Sequence, residues 1–494
     1  MKSSLICGFL GLLLASPVPA AIQLTVVGDS LTKEYEISFP GVPLAGVAGI
    51  DPTNPGARNW AEILHARRGD FFHSGSFRNS LLNRWSDLRL LGHEYNWAVP
   101  GATARAIRNL ITGQNLEEIT SDGDFSTFIS FAPDWDKTSE RMLAQVQASS
   151  GAVVIWCGGN DLRFGNDDPA TFVNGSPITY QSIYDGDGTG RGDPQPLMNS
   201  LKASIQEIAQ KIRQASATVP IAICSVPHVG IAPIVKASAP TDAARTGRIT
   251  TALQALNGEL KTWTENTLGG AWVDLHPLTA PLLDAPTVEF GGVTFYNASD
   301  TQPASAPASA HNRFLFSHDG FHPGTALQSL VALAVEEALR EKFPATFGAS
   351  APLTAREVVS SVLSLPANIG FLEFMETSGA PADQRGPSAD PDQDGLDNLA
   401  EFALAGNIAF PGGAVVAPAA GYDAGAQALT LTWTPRSPDN AYCAITCEHS
   451  TTAASWSGVP ASQITANADG SWTARVPADG PGPKFMRLKI TAAP

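Results

Sequence analysis

Two short segments carry residue types that can do chemistry together. Gly28-Asp29-Ser30-Leu31 closes an apolar run near the N-terminus, and Asp319-Gly320-Phe321-His322 follows far along the chain. A serine hydroxyl is a poor nucleophile at neutral pH. A histidine in contact removes its proton, and a carboxylate fixes the histidine's tautomer and stabilises the imidazolium. Asp319 precedes His322 by three residues, so a helical turn entered at His322 would bring the carboxylate to the ring without a third segment. An acyl-transfer intermediate also needs hydrogen-bond donors, each worth about 3–4 kcal/mol. Gly101, in VPGATA, offers an unobstructed backbone N–H. Asn160, in GGND, offers a side-chain amide, and Ser30 adds its own N–H. Taken singly these residues have plainer uses. Ser30 fits a helix N-cap, Asn160 a turn and His322 a loop. Asp161 reads as a cap on the helix that follows it. His93, His228, His276 and His318 read as structural or surface residues.

These residues must be positioned by an alternating fold. From residue 21 to 345, strand-like runs (IQLTVVGDS, EYNWAVPGATA, GAVVIWC, VPIAIC, GGAWVD) alternate with helical patterns (TSERMLAQVQAS, SLKASIQEIAQKIRQA, RITTALQALNGELKTWTENT, TALQSLVALAVEEALREKF). Strand runs rich in Val and Ile, without strict alternation, predict a parallel sheet covered on both faces, hence a doubly wound α/β domain. Such sheets place their sites beyond the carboxyl ends of the strands. Ser30, Gly101 and Asn160 all fall just after strand-like runs. The stretch 164–196 reads as an insertion near the site mouth. Residues 285–312 read as irregular, with TQPASAPASA a flexible piece. The run LTKEYEISFPG after Ser30 is expected to line an acyl or sugar pocket.

GDS at 28–30, the glycine of VPGATA, GGND at 158–161 and DGFHPG at 319–324 occur in the order of the GDSL/SGNH hydrolase blocks. Over residues 22–345 the chain therefore resembles that family. The resemblance implies a flavodoxin-like three-layer α/β/α domain. It implies Ser30 as nucleophile, His322 as base with Asp319 behind it, and Ser30, Gly101 and Asn160 as oxyanion donors. Family members are esterases, lipases, thioesterases and carbohydrate acetylesterases, and no metal or cofactor is required for their catalysis.

Composition narrows the setting. The 494 residues are 43% hydrophobic and 16% charged, with a net charge of -16. That balance predicts a globular chain of two or three domains and disfavours nucleic acid and anionic membrane surfaces as partners. Residues 1–20 read as a signal peptide: Lys2, an apolar core from Leu5 to Ala15, and the small residues of Val18-Pro19-Ala20. No later segment approaches about 18 uninterrupted apolar residues, so the mature chain is expected to be secreted or periplasmic, without a transmembrane segment. Export permits disulfides. Cys157 and Cys224 nevertheless read as buried thiols, and a bond between Cys443 and Cys447 would need a bend in their strand.

After residue 345 the pattern changes. Residues 346–410 read as a helical linker, and 411–494 as a β-sandwich-like accessory domain with strands ALTLTWTP, AYCAITCEHS, SWTARVPA and KFMRLKITA. Inside the linker, Asp390-Pro391-Asp392-Gln393-Asp394-Gly395 through Glu401 matches D-x-D-x-D-G-x5-E. Carboxylates of Asp390, Asp392, Asp394 and Glu401, the carbonyl of Leu396, and Asn398 directly or through water are the donors expected to hold a structural Ca2+. Four carboxylates this close repel one another without a cation. The expected function is hydrolysis of a carboxylic ester, with an acetylated polysaccharide as the favoured substrate. Alternatives are a lipase or phospholipase-type esterase, or a non-catalytic polysaccharide-binding surface protein. Trp433, Trp456 and Trp472 could stack on sugars, although core packing is the commoner use.

Overall fold

The computed structural model describes residues 21–35, 54, 56–89, 91–116, 132–149, 151–162, 172–173, 176–303, 305–349, 351–404, 417–437, 439–479 and 484–492. Its central sheet contains β1 (Ile22–Gly28), β2 (Phe72–His73), β3 (Ala152–Trp156), β4 (Ile221–Cys224) and β5 (Ala271–Val273). The order is β2-β1-β3-β4-β5, and every pairing is parallel. This is the flavodoxin-like order, whose switch point lies between β1 and β3. Every residue of β3 and β4 is buried, as unbroken Val/Ile runs require when helices cover both faces.

The helices that bear on the site include α1 (Trp60–Arg67), α2 (Ala104–Thr112), α3 (Thr138–Ala148), α4 (Tyr180–Asp185), α5 (Gln195–Ala215), α6 (Arg245–Trp263) and α7 (Thr325–Lys342). α2, α3, α5 and α6 pack together, while α1 and α7 pair with each other and α7 lies on β4 and β5. α5 shows why: Leu197, Leu201, Ile205, Ile208 and Ile212 recur every three or four residues and are all buried.

The strand expected over EYNWAVPGATA does not form as a continuous element. Its backbone instead follows β1 through Val26 N–H to Tyr95 O (3.0 Å), Trp97 N–H to Val26 O (2.8 Å) and Val99 N–H to Gly28 O (2.9 Å). Asn96 Oδ1 accepts from the Ala98 N–H at 2.9 Å, which bends the chain, and Pro100 has no N–H to extend the ladder. Residues 285–312 are more regular than expected. β6 (Thr287–Phe290) and β7 (Val293–Ser299) form a hairpin about Gly291-Gly292, and β8 (Phe314–Phe316) joins β7. Both glycines have positive φ, +61° and +78°, the turn chemistry of a two-residue hairpin. Downstream, the buried His311 Nδ1 meets the buried Asp300 Oδ2 at 2.7 Å, which anchors the low-complexity piece between them.

In the C-terminal part, α8 (Ile369–Thr377) and α9 (Asn398–Ala403) precede β9 (Ala419–Asp423), β10 (Ala428–Trp433), β11 (Cys443–Ser450), β12 (Ser457–Gly458), β13 (Ile464–Ala466), β14 (Trp472–Pro477) and β15 (Phe485–Ala492). Two antiparallel sheets result, β9-β10-β14-β13 and β12-β11-β15. Leu431, Trp433, Cys447, Ala474 and Val476 fill the space between them. All four cysteines among the described residues are buried free thiols. Cys443 and Cys447 lie on one regular strand, paired in register from Cys443–Ala492 to Ser450–Phe485, without the bend a bond would need. Among the described residues no helix is long and apolar enough to cross a membrane.

Candidate active site

Ser30 and His322 meet at the carboxyl end of β1. His322 Nε2 lies 2.8 Å from Ser30 Oγ, and His322 Nδ1 lies 2.5 Å from Asp319 Oδ2. Asp319 Oδ1 accepts from the backbone N–H groups of Phe321 (2.8 Å) and His322 (3.0 Å) and from the Ser317 hydroxyl (2.7 Å). Burial pushes the Asp319 carboxyl up, but the His322 hydrogen bond and charge and those two N–H groups outweigh it. The net effect holds it down at about 2. The carboxylate is therefore charged when the imidazole needs it. The local geometry differs from the expected helical turn. Ser317 N–H donates to His322 O (2.8 Å), Gly320 N–H to Ser317 O (3.0 Å), and α7 starts only at Thr325. Asp319 and His322 thus meet across a tight turn, not along a helix.

The turn after β1 is fixed from several sides. Asp29 Oδ1 accepts from the Leu31 N–H (2.9 Å), and Asp29 O accepts from Thr32 N–H (3.1 Å) and Lys33 N–H (3.2 Å). Asn59 caps α1 in a reciprocal box with Glu62. The same Asn59 donates to Thr32 O (2.8 Å) and Lys33 O (2.7 Å). Gln328 of α7 donates to Leu31 O (3.0 Å) and to Tyr35 Oη (2.9 Å), and Tyr35 donates to Pro323 O (3.0 Å). The serine turn and the histidine loop are thereby hydrogen-bonded to each other. Gly28 is needed at this junction, because a Cβ there would approach Trp156 O to 2.2 Å. Asp29, fully buried, carries a carboxyl pushed up to about 7, by burial first and then by Asp161.

Asn160 and Gly101 are brought to the same end of the sheet. Asn160 Nδ2 donates to Ala102 O at 3.1 Å, which orients the amide. Gly101 sits in the turn that Val99 attaches to Gly28, at φ +79°, a conformation other residues adopt at a cost. Asp161 Oδ2 accepts from the N–H of Ala104, the first residue of α2 after its cap Thr103, at 2.8 Å, and residues 163–171, where a helix capped by Asp161 was expected, lie outside the described part. Asp161 thus clamps the Gly101 turn to the Asn160 loop.

Ser30 and Asn160 both line one cavity that opens to solvent. Its other walls are almost wholly apolar, among them Leu31, Pro227, Val229, Ile231, Leu278 and Phe321. The expectation that the run after Ser30 forms this pocket holds for Leu31 alone among residues 31–35. Lys33 turns away to the carbonyls of Arg89 and Leu91, Tyr35 to the histidine loop, and residues 36–41 lie outside the described part. The segment 227–232 was missed, although VPHVGIAP directly follows β4 and so had to lie at the same sheet edge. His228, pushed down to about 4 by burial, accepts from Gly230 N–H and bonds Thr250, a structural role. Behind it Tyr180 of α4 packs edge-on against His228. This described part of the 164–196 insertion supports the cavity wall rather than shaping its mouth.

The acidic loop is partly assembled. Carboxylate oxygens of Asp390, Asp392 and Asp394 lie within 4.8 Å of one another. Glu401 falls outside that group but is buried, and its carboxyl is pushed up to about 7, by burial and then by Asp392, Asp394 and Asp390. Asn398 Nδ2 donates to Gln384 O (2.8 Å) and Gly386 O (2.7 Å), which gives it a structural task. Leu396 N–H donates to Asp394 Oδ1 at 2.8 Å.

The three-layer fold and a serine–histidine–aspartate chain beyond the sheet define a serine hydrolase of the α/β class. The family model described as GDSL-like Lipase/Acylhydrolase matches residues 24–335, and the chain belongs to that family, whose members hydrolyse esters. No curated protein matches the chain significantly.

Proposed function

We propose that the chain hydrolyses carboxylic esters that carry a linear apolar acyl group. Ser30 attacks the carbonyl, His322 takes its proton and passes it to the departing alcohol, and Asp319 stabilises the imidazolium. Ser30 N–H, Gly101 N–H and the Asn160 amide receive the oxyanion. A water activated by His322 then releases the acid. The observation that carries this reading is the Ser30–His322–Asp319 chain, at 2.8 and 2.5 Å, opening onto a cavity with apolar walls. Each methylene buried there is worth about 0.8 kcal/mol, roughly fourfold in kcat/KM.

The narrower role expected from sequence, removal of acetyl groups from a polysaccharide outside the cytoplasm, is the second reading. The leader-like residues 1–20 and the appended sandwich favour it. The sandwich tryptophans lend it little: Trp433 is buried against Trp472, and Trp456 lies under Arg487, whose guanidinium is 4.0 Å from the ring. The p-nitrophenyl esters of acetate, butyrate, octanoate and palmitate decide between the readings. Butyrate or octanoate turned over at least about tenfold faster than acetate supports the apolar acyl group. Acetate preferred, together with acetate release from acetylated glycans, supports the second reading. If Ser30→Ala and the native chain are equally inert on all of these, the hydrolase reading fails and the binding-protein alternative stands.

A further inference from the structure

Away from the serine and histidine, carboxylates gather in the acidic loop before α9. Carboxylates of Asp390, Asp392 and Asp394 converge within 4.8 Å, and no cationic side chain is paired with any of them among the described residues. A second observation points into the cluster. Glu401 is only 3% exposed, and its Oε2 has no hydrogen-bond partner among the described residues. The negative charges that act on it are those of Asp392, Asp394 and Asp390, and then of Asp397. Asp390 Oδ1 and Asn398 Oδ1 are also buried without a partner there. Buried, unpartnered carboxylate oxygens are costly, and here two of them, Asp390 Oδ1 and Glu401 Oε2, belong to the one segment 390–401.

We propose that this loop binds one Ca2+ ion, which locks α9 between the hydrolase part and the β-sandwich. The donors are the carboxylates of Asp390, Asp392, Asp394 and Glu401, with the backbone carbonyl of Leu396. All are hard oxygens, and a loop that supplies this many suits Ca2+ better than the smaller Mg2+, which keeps its waters and demands a stricter octahedron. Glu401 lies outside the three-aspartate group, so binding draws the start of α9 towards the loop.

The consequence follows from what α9 touches. Leu399, Phe402 and Ala403 pack with Phe371 and Met375 of α8 and Cys443 of β11. Arg436, beyond β10, donates through its backbone N–H to Ala403 O and through Nε to Phe402 O, both at 2.9 Å. On the hydrolase side, Ala441 N–H donates to Gly291 O at 2.9 Å in the β6–β7 hairpin, and a Cβ on Gly292 would sit 3.1 Å from the Phe402 ring. α9 is thus the wedge between two bodies, and the ion would hold its first turn.

Calorimetric titration of the metal-stripped full chain with CaCl2 tests this, alongside thermal melts in CaCl2, MgCl2 and EDTA. The expected result is one Ca2+ per chain with a Kd between about 1 µM and 1 mM. At 100-fold excess over Kd, Ca2+ raises the melting midpoint by about 5 °C or more, and Mg2+ at that concentration by far less. Glu401→Gln weakens binding at least about tenfold. Should that variant fail to fold, the exposed Asp394→Asn reads the same loss. Absence of binding at millimolar Ca2+ overturns the proposal. So does binding that survives both substitutions unchanged.

Discussion

The mouth of the parallel sheet and the loop before α9 both gather carboxylates and polar side chains, yet they are finished to different degrees. At the sheet, Asp319 accepts four hydrogen bonds from its own neighbourhood, and Ser30, His322 and Asp319 form one continuous chain. In the loop, Glu401 Oε2 and Asp390 Oδ1 have no such partners among the described residues. Catalysis rewards groups already oriented before substrate arrives, since reorganisation at the moment of reaction costs rate. An ion site works the other way: its carboxylates repel until the cation completes them. The first region is therefore expected to fail through loss of geometry, the second through loss of its ligand.

The comparison breaks most sharply at the sheet. Ser30→Ala and His322→Ala should each lower kcat by at least about 10⁴-fold with the fold intact by circular dichroism. Retention of a tenth of the native rate would remove Ser30 from the reaction. Asp319→Asn keeps the shape of the side chain but not its charge, and should cost about 10²–10⁴-fold in kcat. Asn160→Ala should cost about 10²–10³-fold in kcat with little change in KM, because an oxyanion donor acts mainly in the transition state. A change in KM alone would make Asn160 a substrate-binding group.

How much of this was readable in the chain depends on how local each signal was. Ser30 and Asn160, the proposed nucleophile and one proposed oxyanion donor, lie in short motifs at strand ends, and strand ends were recognisable from unbroken apolar runs such as AVVIW and IAIC. The Asp319–His322 contact was readable from spacing, although its backbone path was not: a turn and a helical turn bring residues three apart to similar separations. The cavity was invisible because its walls come from Leu31, Trp156 of β3, the 227–232 loop, Leu278, Phe321 and Leu327 of α7, distant segments that only the tertiary fold unites. The strand expected at 94–99 failed for a local reason, the Asn96 side chain bonding its own backbone. The β6–β7 hairpin was missed although Gly291-Gly292 announced it, because the polar, Pro-rich residues that follow made the whole stretch look irregular.

Asp29 sharpens the contrast from inside the sheet region, since it is a fully buried carboxyl next to Ser30. Burial, then Asp161, raises it from 3.8 to about 7. The folded state holds this proton more tightly than the unfolded chain does. Its contribution to stability is therefore fully present below about pH 4 and declines as pH rises through about 7, by an amount on the order of 4 kcal/mol. Asp29→Asn keeps an oxygen for the Leu31 N–H and removes the titration. Denaturant midpoints of the variant should be flatter than the native ones between pH 4 and 8. Parallel profiles would mean that Asp29 stays ionised in the fold.

The smallest effect expected is at Tyr35. Its hydroxyl donates to Pro323 O and accepts from Gln328 Nε2, and so joins the serine turn, the histidine loop and α7. Tyr35→Phe leaves the ring in its buried site and removes both bonds, at about 1–3 kcal/mol of stability because Pro323 O and Gln328 lose a partner. If preorganisation of the sheet site rests partly on this link, kcat should also fall by roughly three- to tenfold while KM holds. A loss of stability with unchanged kcat would show that the Ser30–His322 separation is maintained by the two backbones alone, and that the network beneath them serves the fold rather than the reaction.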